Sequence, residues 1–144
     1  MMIFIIPFIG AVIFELIGIL WHGPIFGNAY MNAMGISSDP SSLDKKKMLK
    51  LMLVDGFLSY VFLFGFLMLM LQNIAYSANP YLAGIFFALV FFAFFVLPQK
   101  GAAALWSGRS AKDSWKLFGI GAGYIFVAML TTTPIMIFLL TKLV

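Results

Sequence analysis

Cysteine is absent from this chain and charge is scarce. Its 144 residues include no Cys, nine Lys or Arg, five Asp or Glu and one His. Without a thiol there is no disulfide, no thiolate metal site and no cysteine nucleophile. Charged residues make up 10% of the chain, against about 25% in soluble domains. No glycine-rich phosphate loop or dinucleotide fingerprint is present. No nucleophile elbow, zinc motif or haem ligand pair is evident either, so nothing calls for a metal or cofactor. The net charge of +4 is modest. Its placement points to anionic lipid headgroups on one leaflet and not to nucleic acid.

What remains is apolar. Hydrophobic residues make up 63% of the chain, with 17 Phe and 10 Met, and the mean hydropathy is +1.06. A water-soluble core cannot hide that much apolar surface at this length. The expectation is one all-α integral membrane domain over residues 1–144. Spanning helices need about 20 apolar residues. Four runs meet that, at about 3–21, 48–71, 80–98 (reaching 106 if the helix passes Pro98) and 115–140.

Local chemistry refines the ends. Ser41 with Asp44, and Ser110 with Asp113, read as helix starts. Asn79-Pro80 reads as an N-cap followed by Pro at the first helical position, and Gly108 as a helix stop. Pro134 should kink the fourth helix, with Thr131, Thr132 and Thr133 helping to satisfy freed backbone groups. The segment 24–35 is too short to span and reads as an interfacial or re-entrant helix between the first two spans. The first run lacks a basic leader and a small-residue cleavage pattern, and reads as a retained helix.

Orientation follows from the basic residues. Lys45, Lys46, Lys47 and Lys50 lie between the first two spans, and Lys100, Arg109, Lys112 and Lys116 lie near the third connection. The second connection, 72–79, has none. The positive-inside rule makes the basic side cytoplasmic and puts both termini outside. Trp21, Trp106 and Trp115 would form the inner aromatic belt, with Tyr76 and Tyr81 at the outer one. A bacterial inner membrane is the expected location.

Two acids interrupt the apolar runs. Glu15 lies six residues before Trp21, and Asp55 five residues after Lys50. At 1.5 Å per residue both sit roughly 8–10 Å inside the basic boundary. Intramembrane carboxylates usually face a bundle interior or a wet cavity. The pair can share a proton, hold a cation or bind a cationic ligand. Equally, each can act as polar glue to a hydroxyl, a backbone group or a lysine. His22, seven residues after Glu15, shares its helix face. It reads either as a relay or ligand beside the acids or as a headgroup-level residue. Lys100 either neutralises an acid or snorkels to the phosphates. Gly119 and Gly123 have the GxxxG spacing of a close helix-packing face. The Phe-rich stretch from Phe86 to Phe95 needs only lipid and core packing. Leu20-Trp21-His22-Gly23 is echoed by Leu105-Trp106-Ser107-Gly108, a weak hint of duplication.

The run Leu20-Trp21-His22-Gly23-Pro24-Ile25-Phe26-Gly27, with Tyr30, Met31 and Gly35, resembles the opening signature of a bacterial membrane family catalogued as domain of unknown function 1761. Gly108-Arg109-Ser110, Trp115-Lys116-Leu117-Phe118 and Ala122-Gly123-Tyr124 resemble that family's last-helix pattern. His22 stands where the family shows an aromatic. The resemblance implies fold and compartment, and no activity. Over nine residues, Gly10 to Gly18 around Glu15, the first helix is also similar to small multidrug resistance transporters. There a lone Glu binds protons and cations competitively. This chain departs from them in its long first loop and its additional Asp55.

Three functions compete on these residues. The first is an ion- or small-solute-coupled carrier using Glu15 and Asp55. The second is a non-enzymatic accessory or scaffold subunit. The third is an enzyme acting on lipid-like substrates, for which the polar cluster is the only support. A bundle this small encloses a pathway more readily with a second copy, so a homo-oligomer is one expected partner.

Overall fold

In a computed structural model, residues 2–35 and 45–143 are described. The expected start at Ser41 and Asp44 lies outside them. The helices are α1 (Met2–Leu20), α2 (Gly27–Met34), α3 (Lys45–Ile74), α4 (Pro80–Phe91), α5 (Leu97–Leu105) and α6 (Ala111–Leu143). Trp21–Ile25 joins α1 to α2, and Phe92–Val96 joins α4 to α5, each as one wide π turn. Four stretches are long and apolar enough to cross a membrane: Ile3–Ile25, Met52–Ile74, Pro80–Leu105 and Ala111–Lys142. The shortest, at 23 residues, rises about 35 Å, enough for a hydrocarbon layer of about 30 Å.

Prolines explain the wide turns. Pro24 and Pro98 carry no N–H and cannot donate to Leu20 and Phe94. The ladder re-forms with a longer loop, Phe26 N–H donating to the Trp21 carbonyl at 2.8 Å and Leu97 N–H to that of Phe92. The third span therefore continues past Pro98 to Leu105. Ends follow side-chain chemistry. The Asn79 side chain accepts from Leu82 N–H at 3.1 Å ahead of Pro80. Ser110 Oγ accepts from Asp113 N–H at 3.2 Å and donates to its carboxylate at 2.6 Å. Gly35 and Gly108 close α2 and the stretch after α5 with φ of 68° and 70°, a region that favours glycine.

Thr131 and Thr132 do not serve Pro134 as expected. Their hydroxyls donate to Val127 and Ala128, each at 2.8 Å, whereas the carbonyl that Pro134 leaves free is that of Leu130. Thr133 is buried, and its hydroxyl has no partner among the described residues.

The bundle is a four-cornered ring. α1 packs on α3 and α6, α3 on α4, and α4 and α5 on α6. The start of α1 and the end of α6 lie at one end. The end of α2, the start of α3 and the link between α5 and α6 lie at the other, called here the basic end. The dry core sits toward the end holding the chain termini. Ile6, Leu63, Leu67, Met70, Met136 and Ile137 are fully buried there, with Phe66 and Met129 almost so. Large side chains such as Leu53, Phe57, Phe86 and Phe94 point outward, as a helix facing acyl chains requires.

α4 approaches α6 through Gly84, where a Cβ would collide with the Ile137 side chain and touch Met70. Gly84→Leu is expected to lower stability by about 1–3 kcal/mol through overpacking. Gly65, with open space beside it, should accept Ala without loss. Thermal unfolding in maltoside micelles separates the two, and equal midpoints for both variants would refute this account of the α4–α6 seam.

Candidate functional site

At the basic end the core gives way to space. A cavity of about 580 Å³ is lined by Glu15, Gly18, His22, Tyr30, Asp55 and Tyr124, among others. Two neighbouring hollows, of about 400 Å³ and 460 Å³, share its Asp55 and Tyr124 walls and add Lys100. The first of these also reaches Arg109, Ser107 and Ser114, and the second Ser59 and Gln99. The sizes fit a small molecule.

The floor is aromatic. The Phe14 ring lies 5.2 Å from that of Tyr124, edge to face, and 6.1 Å from that of Phe62. Tyr124 donates its hydroxyl to the Phe14 carbonyl at 3.2 Å, binding α6 to α1. Gly18 makes room for it, since a Cβ there would stand 3.0 Å from the Tyr124 oxygen. One turn further, the Trp21 indole N–H donates to the Ile120 carbonyl at 2.9 Å. Its ring lies where a Cβ on Gly123 would come within 3.0 Å. Trp21 is therefore a tie between helices and not the belt residue expected from its position. Trp106, largely exposed, remains free for the interface.

The two acids are held differently. Glu15, half-buried, accepts a hydrogen bond from Ser59 Oγ at 2.7 Å, across the α1–α3 seam. Asp55, one turn before Ser59 on α3, is exposed to the cavity. Both carboxylates line the 580 Å³ cavity. His22 turns inward: its Nδ1–H donates to the Gly18 carbonyl at 3.3 Å. Its ring packs edge-on to Tyr30 and Tyr124, each at 5.1 Å. That is a wall position beside the acids, within the wide turn that follows α1. Glu15, His22 and Asp55 line one space, yet among the described residues no three such side chains gather as metal ligands do.

Lys100, exposed on α5, faces the same hollows as Asp55. α2, packed on α6, supplies Tyr30 to the cavity wall. The GxxxG pair divides. Gly123 abuts Trp21, whereas Gly119 is exposed with open space beside it. Of these two glycines, only Gly123 is a close-packing position among the described residues. A separate apolar groove of about 500 Å³ runs along the α1–α3 seam from Phe8 to Glu15.

The site residues expected from sequence do not include Tyr124, Ser59 or the Ser107–Ser114 pair. The one available signal for Tyr124 was a hydroxyl-bearing residue deep in a glycine-rich apolar helix.

Together these features define a small polytopic helical membrane protein with a polar cavity at one end. The chain belongs to the family described as protein of unknown function DUF1761, whose model matches residues 6–137. No curated protein and no solved structure matches it.

Access of water to the cavity is directly measurable, because the chain has no native thiol. Ser59→Cys should react with a membrane-impermeant, water-requiring thiol reagent from the basic side. Val61→Cys, on the outward face, should not. Silence at Ser59→Cys would mean a dry site and acids that serve as polar glue.

Proposed function

We propose that the protein is an ion- or small-solute-binding carrier of the bilayer, with Glu15 and Asp55 as its binding carboxylates. One observation carries this reading: both acids line a single open cavity instead of being sealed inside the packed core. Polar glue would need neither the space nor a carboxylate that, like Asp55, has no bonding partner among the described residues, and burying a charge without a partner is costly. The positive-inside rule supports a cytoplasmic setting for the basic end, and so for the cavity mouth. Phe14, Phe62 and Tyr124 separate the cavity from the dry core. Passage to the other side would therefore require those rings to move, the kind of rearrangement that alternating access uses. His22 and Tyr124 position the walls, and Ser59 orients Glu15.

The accessory-subunit reading has one observation of its own, the exposed Gly119 with free space beside it, which offers a second helix a place to approach.

Flux decides between them. Lipid vesicles containing the protein are expected to pass protons, ammonium or ethanolamine faster than empty vesicles. Glu15→Gln should bring that flux to background while the unfolding midpoint stays within a few degrees of the wild type. Flux in Glu15→Gln equal to wild type would sink the carrier reading.

A further inference from the structure

The cavity has charges of both signs on its walls. In the 400 Å³ hollow Asp55 faces a space that Lys100 and Arg109 also line. Among the described residues none of the three is paired with an opposite charge. Asp55 alone would serve a simple cation, and the two fixed positive charges beside it offer a place to a second, oppositely charged group on the same solute. A site meant for an anion gains nothing from Asp55.

The hydroxyls on the basic side add a donor. Ser107 and Ser114 share a hydrogen bond of 2.7 Å, and Ser107 Oγ also accepts from Arg109 N–H at 3.3 Å. Two hydroxyl hydrogens serve one bond between them. Whichever serine donates, the other's O–H is not used by that bond, and both side chains line the hollow. On the other wall, the rings of His22, Tyr30 and Tyr124 surround the approach to Asp55. Aromatic faces attract ammonium groups. A guanidinium, an ammonium and a hydroxyl donor together suit the several acceptor oxygens of a phosphate better than the two of a carboxylate.

We propose that this cavity binds an aminoalkyl phosphate, its ammonium held at Asp55 and its phosphate between Lys100, Arg109 and the Ser107–Ser114 pair. The proposal rests on the reading of this cavity as a solute-binding site and names the class of solute. The same group occurs free in water and as the headgroup of an amine-bearing phospholipid. A lipid would have a place for its chain, since the apolar α1–α3 groove meets the cavity at Glu15 and Met52, which line both.

Calorimetric titration of the full chain in maltoside micelles tests this. The probes are glycerophosphoethanolamine, glycerol 3-phosphate and ethanolamine. The whole molecule should bind at least about tenfold tighter than either part, since each charge-assisted contact is worth that much or more. Asp55→Asn should remove the preference over glycerol 3-phosphate. Lys100→Gln combined with Arg109→Gln should remove the preference over ethanolamine. Lysophosphatidylethanolamine, corrected for micelle partitioning with lysophosphatidylglycerol, identifies the source. Tighter binding than the soluble ester means a lipid headgroup, and equal binding means the free ester.

The proposal is overturned if either part binds as well as the whole, if the preference survives both sets of substitutions, or if no probe binds. The panel on the unaltered protein is decisive even where a variant fails to fold. Ethanolamine binding that depends on Asp55 alone would overturn the zwitterion and leave the carrier reading standing. That reading fails on wild-type flux in Glu15→Gln or on silence at Ser59→Cys.

Discussion

A bilayer offers no hydrogen bonds, so each spanning segment must satisfy its own backbone. The rest of this molecule follows from how two prolines are reconciled with that constraint. Pro24 and Pro98 each remove a donor, and the ladder is restored by one wide turn at Trp21–Ile25 and another at Phe92–Val96. A wide turn inserts a residue and rotates everything beyond it relative to the helix before. The rotation puts His22 against Tyr30 and Tyr124 and carries α5 to the position where Lys100 lines the cavity. π turns recur at functional sites for this reason. Here they occur in the two helices that end in the cavity wall.

The longitudinal layout was legible in the sequence. Apolar runs mark where each span lies, and the caps at Asn79 and Ser110 mark where two helices begin, because both signals are local. Rotation about the helix axis was not legible. In lipid a helix is apolar all round, so no amphipathic stripe tells which face meets its neighbours. The depth of Glu15 and Asp55 could be counted, but not that Ser59 rather than Asp55 would be the immediate neighbour of Glu15. Trp21 was read as a belt residue because Trp near a span end usually is. Its indole meets Ile120 because Gly123 leaves room for the ring, a contact ninety-nine residues away in sequence.

The two halves of the chain follow one plan. A span, a wide turn, a short helix and a left-handed glycine lead into a long return helix, first through α1, α2, Gly35 and α3, then through α4, α5, Gly108 and α6. The four-residue echo of Leu20-Trp21-His22-Gly23 in Leu105-Trp106-Ser107-Gly108 does not follow that plan. Its first copy falls at a wide turn and its second after α5. What the halves share is the order of their elements, with Pro24 inside the first wide turn and Pro98 two residues beyond the second. The side chains that the plan brings inward differ: His22 and Tyr30 from the first half, Lys100 and Ser107 from the second. A repeated order of elements thus builds an asymmetric cavity.

That asymmetry accounts for the different treatment of the two acids. Glu15 sits where α1 and α3 are packed and has a hydroxyl donor at 2.7 Å. It can keep its place whether or not anything is bound. Asp55 sits where the helices have parted and faces the second half's cations across open space. Among the described residues Asp55 has no partner, which is costly for a carboxylate in a span, and a lysine on the facing helix could have relieved the cost by pairing with it. The structure keeps the two apart and leaves a volume of molecular size between them. Helices free to approach would close such a gap. The floor of Phe14, Phe62 and Tyr124, and the ties from Trp21 to Ile120 and from Tyr124 to Phe14, hold α1 and α6 in fixed register. The cavity is thus maintained by the same contacts that build the bundle, and its opposed charges are left to whatever enters it.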